Sequence, residues 1–405
     1  MVRVVVAEPT KQRITSIDAY RGFVMFLMLA EVLHLSGVAE RFPTSDVWRL
    51  IGHHATHVPW RGGSLHDMIQ PSFSFLVGVA VPFSIAARMA KGHGFGNMLF
   101  HAILRALVLI GLGIFLRSDG LEMTNFTFMD TLAQIGMGYV FLFLLGFRSP
   151  AWHWGAFAFL VLGSFAIYAS HPLPPPDFDY PAVGVPANWP HHAEGFAAHW
   201  NKNSNAGWAF DQWFLNLFGR PQPFVFNAGG YATLNVIPTL ATMILGLIAG
   251  TWMKAGLPRG ALLLRLLLAG TLAFSAGYAL DLFGVIPNVK RIWTPAWTLY
   301  SGGVCFLMLL VFSLLFDNSP LRALAFPLVV IGANSIFIYC VNALLSKWLV
   351  KTLATHLFLL ERKYEFRTYT VFGPEYESAV RGGLVLLIYW LLLLWMYRKR
   401  IFVKI

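Results

Sequence analysis

Ten stretches of about twenty residues, each nearly free of charge, recur along this chain, and a segment of that length and character has few places to go. The hydrocarbon core of a bilayer is about 30 Å thick, a distance an α-helix crosses in roughly 20 residues. In that core only a helix or a closed barrel satisfies its own backbone hydrogen bonds. The stretches are 18–38, 68–90, 98–116, 131–147, 151–170, 231–254, 260–283, 292–316, 322–344 and 377–397. They predict an all-α integral membrane protein of about ten transmembrane helices, forming one domain over residues 1–405. Composition agrees, because 12 % of the 405 residues are charged and 57 % are hydrophobic, where a soluble domain carries about 25 % charged residues.

An even number of crossings puts both termini on one side, and Lys and Arg decide which side that is. With the termini inside, the inside segments hold 13 basic residues against two acids, and the much longer outside segments hold 13 against 14. The excess behind the net charge of +11 therefore lies beside anionic lipid, so both termini, the N-terminal segment 1–17 included, are expected in the cytoplasm. Such a protein in a bacterium is a multi-pass protein of the inner membrane. The basic residues are spread over short loops rather than gathered in a patch, which argues against a nucleic-acid partner. Cys305 and Cys340 sit in apolar runs, which excludes a disulfide framework and a cysteine metal site. The N-terminus is too polar for a signal peptide, so the first apolar run is expected to be retained.

Two outside loops are longer than connectors need to be. Residues 171–230 are rich in Pro, Trp, His and Asn and are expected to form an ordered extracytoplasmic cap. Residues 345–376 open with the amphipathic stretch SKWLVKTLATHLF, expected outside or in the membrane interface. No internal repeat is visible, unlike transporters built from repeats.

Ionisable groups in apolar helices are site candidates by default. Asp18 and Arg21, one turn apart in Ser16-Ile17-Asp18-Ala19-Tyr20-Arg21-Gly22, can pair along one helix face as a structural motif. Glu31, Arg105, Arg265 and Asp281 lie deeper and need a partner, a polar cavity or the interface. Arg105 and Arg265 suit phosphate groups, with snorkelling and internal pairing equally open. The densest polar stretch is 39–67, with His53, His54, His57, Trp60, Arg61, His66 and Asp67. Three chemistries fit it. His53 and His57, with His66 or Asp67, could ligate zinc, but the glutamate of an H-E-x-x-H motif is missing and no metal is expected. One histidine could be a general base or acyl carrier oriented by Asp67. The loop could also be a polar interfacial segment anchored by Trp60.

The order of motifs resembles a known family. Ser16-Ile17-Asp18-Ala19-Tyr20-Arg21-Gly22 is followed by His57-x-x-Trp60-x-Gly62, Asp67 and Pro71 running into Phe75-Leu76-x-x-Gly78. Then come Leu132-x-Gln134-Ile135, Pro287-x-x-Lys290-x-x-Trp293, Gly332-x-Asn334-Ser335-Ile336-x-x-Tyr339 and the terminal Tyr397-Arg398-Lys399-Arg400-Ile401-Phe402. Together they resemble the transmembrane acyltransferases related to heparan-α-glucosaminide N-acetyltransferase, in their bacterial branch, over nearly the whole chain. The loop 171–230 has no counterpart in that family.

The resemblance implies an enzyme that takes an acetyl group from cytoplasmic acetyl-CoA and passes it to an amino sugar or other carbohydrate beyond the membrane. It places the active histidine at His57, and Asp67, ten residues further on, is the carboxylate expected to orient its ring. Trp60, Lys290, Asn334 and Tyr339 are then the expected acceptor-binding residues, and Arg105 and Arg265 the expected contacts to acyl-CoA. The expected partners are acyl-CoA, a carbohydrate acceptor and the lipid bilayer, and a homo-oligomer is compatible with them. The alternative class is a secondary transporter or flippase of a sugar-linked or lipid-linked substrate, which would need substrate contacts at mid-bilayer rather than a base in an aqueous loop.

Overall fold

The structure is a computed structural model that describes residues 3–6, 14–364 and 368–404. Residues 1–2 and 7–13 of the expected cytoplasmic N-terminal segment and 365–367 of the segment 345–376 lie outside the described residues. Among the described residues eight helices are long and apolar enough to cross a bilayer: His66–Met89, Phe95–Ser118, Pro150–Ala169, Thr233–Lys254, Arg259–Leu282, Pro295–Phe316, Ser335–Phe358 and Pro374–Arg398. The chain is a multi-pass integral membrane protein, and its described residues are all-helical apart from one short ribbon. In that ribbon strand β1 (Arg3–Val6) pairs antiparallel with strand β2 (Ile401–Lys404).

Seven of the ten expected segments coincide with long helices, and three differ for local reasons. The segment 18–38 is broken. Its α-helix stops at Leu29, a 3₁₀ turn covers Ala30–Leu33 and His34 ends that turn in the left-handed region at φ 47°, a common way to close a helix. The segment 131–147 forms the 15-residue helix Thr131–Leu145, started by Asp130, whose Oδ1 accepts from the amides of Leu132 and Ala133. Fifteen residues rise only about 22 Å. The segment 322–344 is interrupted at Asn334, between the helices Phe326–Gly332 and Ser335–Tyr364. There the Asn334 side chain turns to strand β2, donating from Nδ2 to the Ile401 carbonyl at 3.0 Å and accepting from the Val403 amide at 2.9 Å. As a result SKWLVKTLATHLF is not a separate interfacial element but the continuation of the helix that begins at Ser335.

The chain divides into two compact units. One comprises Met1–Val58, Ser64–Ile69 and Val311–Ile405, the other Pro59–Gly63 and Gln70–Leu310. In the first unit the helix Thr15–Leu29 packs on Phe326–Gly332 through glycines. A Cβ on Gly22 would lie 1.8 Å from the Leu328 carbonyl oxygen, and one on Gly332 would lie 2.3 Å from that of Asp18. The second unit repeats the device between Ile69–Met89 and Val236–Lys254. Here Gly78 faces the Met243 carbonyl, Gly246 that of Phe75 and Gly250 that of Val79. Without a hydrophobic drive between helices in lipid, such close backbone approach supplies the packing.

The segment 171–230 is folded within the second unit. It contains the helix Ala206–Phe214 and 3₁₀ turns at Pro181–Val183, Gly195–Trp200 and Leu215–Leu217. A buried run from Asn201 to Asn205 holds it together. Asn201 bonds both backbone groups of Ala193, Asn203 donates to the Val183 and Asn227 carbonyls, and Asn205 donates to the Asn201 carbonyl. Asp211 is fully buried and accepts from the Thr233 amide at 2.9 Å.

Candidate active site

The first unit brings His57 and Asp67 together. The helix Asp46–His54 starts at Ser45, whose hydroxyl accepts from the Trp48 amide, and ends at Ala55. His57 and Val58 follow. The chain re-enters the first unit at Ser64, where Ser64-Leu65-His66-Asp67 forms a capping box with aspartate in the place of the usual glutamate. The Asp67 amide donates to Ser64 Oγ at 3.2 Å and the Ser64 amide donates to Asp67 Oδ2 at 3.1 Å. Oδ2 also accepts from the Val58 amide at 3.1 Å. The Ser64 hydroxyl is 2.6 Å from the Thr56 carbonyl and 3.0 Å from Oδ2. It has one proton to give, and the shorter distance assigns it to Thr56.

These contacts leave Asp67 Oδ1 facing His57 Nδ1 at 2.8 Å. The carboxylate is 1 % exposed and the imidazole 37 % exposed. An ionised carboxylate can only accept, so the proton of the neutral imidazole sits on Nδ1 and the lone pair on Nε2. Such a pair fixes the tautomer and the ring plane together.

A second histidine–carboxylate pair adjoins the first. His66 Nε2 lies 2.8 Å from Glu31 Oε1, with His66 8 % and Glu31 53 % exposed. The His57 and His66 ring centroids are 4.4 Å apart. His53 does not join this group: among the described residues the cluster with metal-ligand chemistry is Glu31, His57 and His66. His54 serves the backbone, its Nδ1 accepting from the Leu65 amide at 3.1 Å.

The other expected site residues fall as follows. Asp18 and Arg21 form the expected ion pair at 3.3 Å. In the first unit Asn334 has both ends of its amide on the backbone of β2, and Tyr339 is half-buried on the helix Ser335–Tyr364. In the second unit Trp60 is buried among Trp200, Ile286, Val289 and Ile292, and Lys290 is buried in the turn before Pro295. The Arg105 guanidinium lies 4.7 Å over the Tyr139 ring and donates to its hydroxyl at 3.2 Å. Arg265 is exposed on Arg259–Leu282. Asp281, left without a partner by the sequence, accepts from Arg61 Nε at 2.7 Å.

No family model and no curated protein matches the chain. Function therefore rests on geometry and on the motif resemblance.

Trp60, Arg61, His191, Trp200, Asn201 and Asp281 line a cavity of about 160 Å³ in the second unit. Its walls combine aromatic faces with donors and acceptors. Burial and the nearby Arg61 charge lower the His191 pKa from its ordinary value. Lys202, 4.9 Å over the Trp189 ring, is lowered by burial and by the Arg291 charge.

Sequence reasoning paired His57 with Asp67, which the structure brings to 2.8 Å, but missed two partners. The Ser64-x-x-Asp67 spacing is a legible capping box. Glu31 was visible as a carboxylate in an apolar run, but its pairing with His66, 35 residues away, leaves no local signal.

Proposed function

We propose that this chain is a membrane acyltransferase that moves an acetyl group from cytoplasmic acyl-CoA to an amino-sugar or carbohydrate acceptor on the far side. The observation that carries the reading is the 2.8 Å contact from His57 Nδ1 to a buried, backbone-anchored Asp67, at the motif position where the family resemblance expects the active histidine. His57 Nε2 takes the proton of the acceptor amine or hydroxyl as the acceptor atom attacks the thioester carbonyl. The new C–N or C–O bond forms, the C–S bond breaks, and the imidazolium returns its proton to the departing CoA thiolate. Asp67 is the positioning residue and stabilises the imidazolium while it carries charge.

Two further features support the reading. The aromatic and polar lining of the Trp60 cavity suits a sugar ring. The pairing of β1 with β2 brings the two ends of the chain together, as an even number of crossings requires. Adding the 15-residue helices Thr15–Leu29 and Thr131–Leu145 to the eight long ones gives ten, with the termini cytoplasmic and 171–230 outside. Of the arginines proposed for acyl-CoA, Arg265 is the more available, since Arg105 is held by Tyr139.

The test is purified protein given acetyl-CoA and glucosamine. The reading expects CoA thiol and N-acetylglucosamine to appear in equal amounts. Absence of both CoA binding and thiol release would reject it.

A further inference from the structure

We propose that Glu31, His57 and His66 form a three-ligand site for a divalent transition-metal ion of the zinc class, and that filling it removes His57 Nε2 from proton transfer. Two imidazoles and one carboxylate are a zinc donor set. Magnesium and calcium, which take oxygen ligands, are poorly served by it. One ligand atom from each residue lies within 4.8 Å of the others. Tetrahedral zinc needs such atoms about 3.3 Å apart, from Zn–N bonds of about 2.0–2.1 Å. His66 Nε2 and Glu31 Oε1, at 2.8 Å, have to part slightly to reach that spacing, and the His57 ligand atom, within 4.8 Å of both, has to move closer, so filling the site asks for side-chain shifts and no change of fold.

The surroundings fit a metal as well as the ligands do. Asp67 bonds His57 Nδ1, the outer carboxylate that metal-bound histidines characteristically have, which leaves Nε2 as the nitrogen to ligate. Glu31 and His66 both sit on short 3₁₀ turns, Ala30–Leu33 and His66–Met68. His66 is buried whereas Glu31 and His57 are partly exposed, so the ion has a way in. All of these residues belong to the first unit. An ion and a proton then compete for one lone pair, and zinc acts as an inhibitor. That consequence rests on the acyl-transfer reading, whereas binding does not.

Zinc titration by calorimetry on the purified, chelator-stripped protein tests the site without any activity assay. The wild type should bind one zinc per chain, and cobalt should give the intense visible bands of a low-coordinate site. Glu31→Gln and His66→Asn should each weaken binding by more than about 100-fold, and Asp67→Asn, which loses only the outer bond, by about 10–100-fold. His53→Ala should bind as the wild type does. No zinc binding by the wild type, or unchanged binding in both Glu31→Gln and His66→Asn, overturns the site; Glu31→Gln changes an exposed carboxylate and does not threaten folding. Transfer measured in chelator reports on His57 separately. Bound zinc that leaves transfer untouched contradicts the competition.

Discussion

At Asp67 the two carboxylate oxygens divide their partners, Oδ2 taking backbone amides and Oδ1 taking the His57 ring. A buried carboxylate held in this way is fixed by the fold before any substrate arrives, and the ring it meets inherits that rigidity. Asp211 shows the opposite case. It too is fully buried, but its Oδ1 has no hydrogen-bond partner among the described residues. Burial outweighs the Thr233 hydrogen bonds and the Arg220 charge, pushing its pKa up to about 6. A raised acid binds its proton more tightly folded than unfolded, so native stability falls as pH rises from about 4 to about 6. The loss is complete above that window, at about 3 kcal/mol for two pKa units. Asp211→Asn should therefore raise the thermal midpoint at pH 8 and give no such gain at pH 4. An equal change at both pH values would show that the charge is not the cause. His57 and Asp67 were legible because one motif and one spacing carry both. Asp211 was not, because nothing in the sequence around it marks a carboxylate sealed in a folded loop.

Among the helices, length was legible and continuity was not. Apolar runs located seven of the long helices, since hydropathy reports directly on the transfer of side chains into lipid. Breaks at His34 and Asn334 depend on a left-handed residue and on side-chain bonds to β2, and a hydropathy window averages over both. The glycines were a readable signal of another kind. Gly246 and Gly250 have the four-residue spacing that lets helix backbones touch, and a Cβ at Gly246 would lie 1.8 Å from the Phe75 carbonyl oxygen. Gly246→Leu should push Ile69–Met89 and Val236–Lys254 apart and destabilise the second unit by more than the about 1–3 kcal/mol of ordinary overpacking. Gly155→Leu, where nothing lies within 4 Å of the added Cβ, should behave like the wild type. Fluorescence-detected size exclusion after heating separates the two, and equal survival would mean the glycine contact carries little energy.

For the molecule as a whole, the β1–β2 ribbon holds the two ends together, and the charge balance is the ground on which we propose that they lie on the cytoplasmic side. Single cysteines at the exposed positions Asn188 and Lys399, in a Cys340→Ser background, should react with an impermeant maleimide from opposite faces of the membrane. Reaction of both from one face would contradict ten crossings. The two positions also bracket the chemistry proposed, because the donor arrives from the side of the termini and the acceptor from the side of 171–230. The central claim is that His57 is the proton-handling group of that chemistry. General-base catalysis contributes about 10²–10⁴-fold. In chelator-treated vesicles carrying acetyl-CoA on the cytoplasmic side and glucosamine on the other, His57→Ala should lose transfer by that factor while still binding CoA. Transfer by His57→Ala within a few-fold of the wild type would contradict the account.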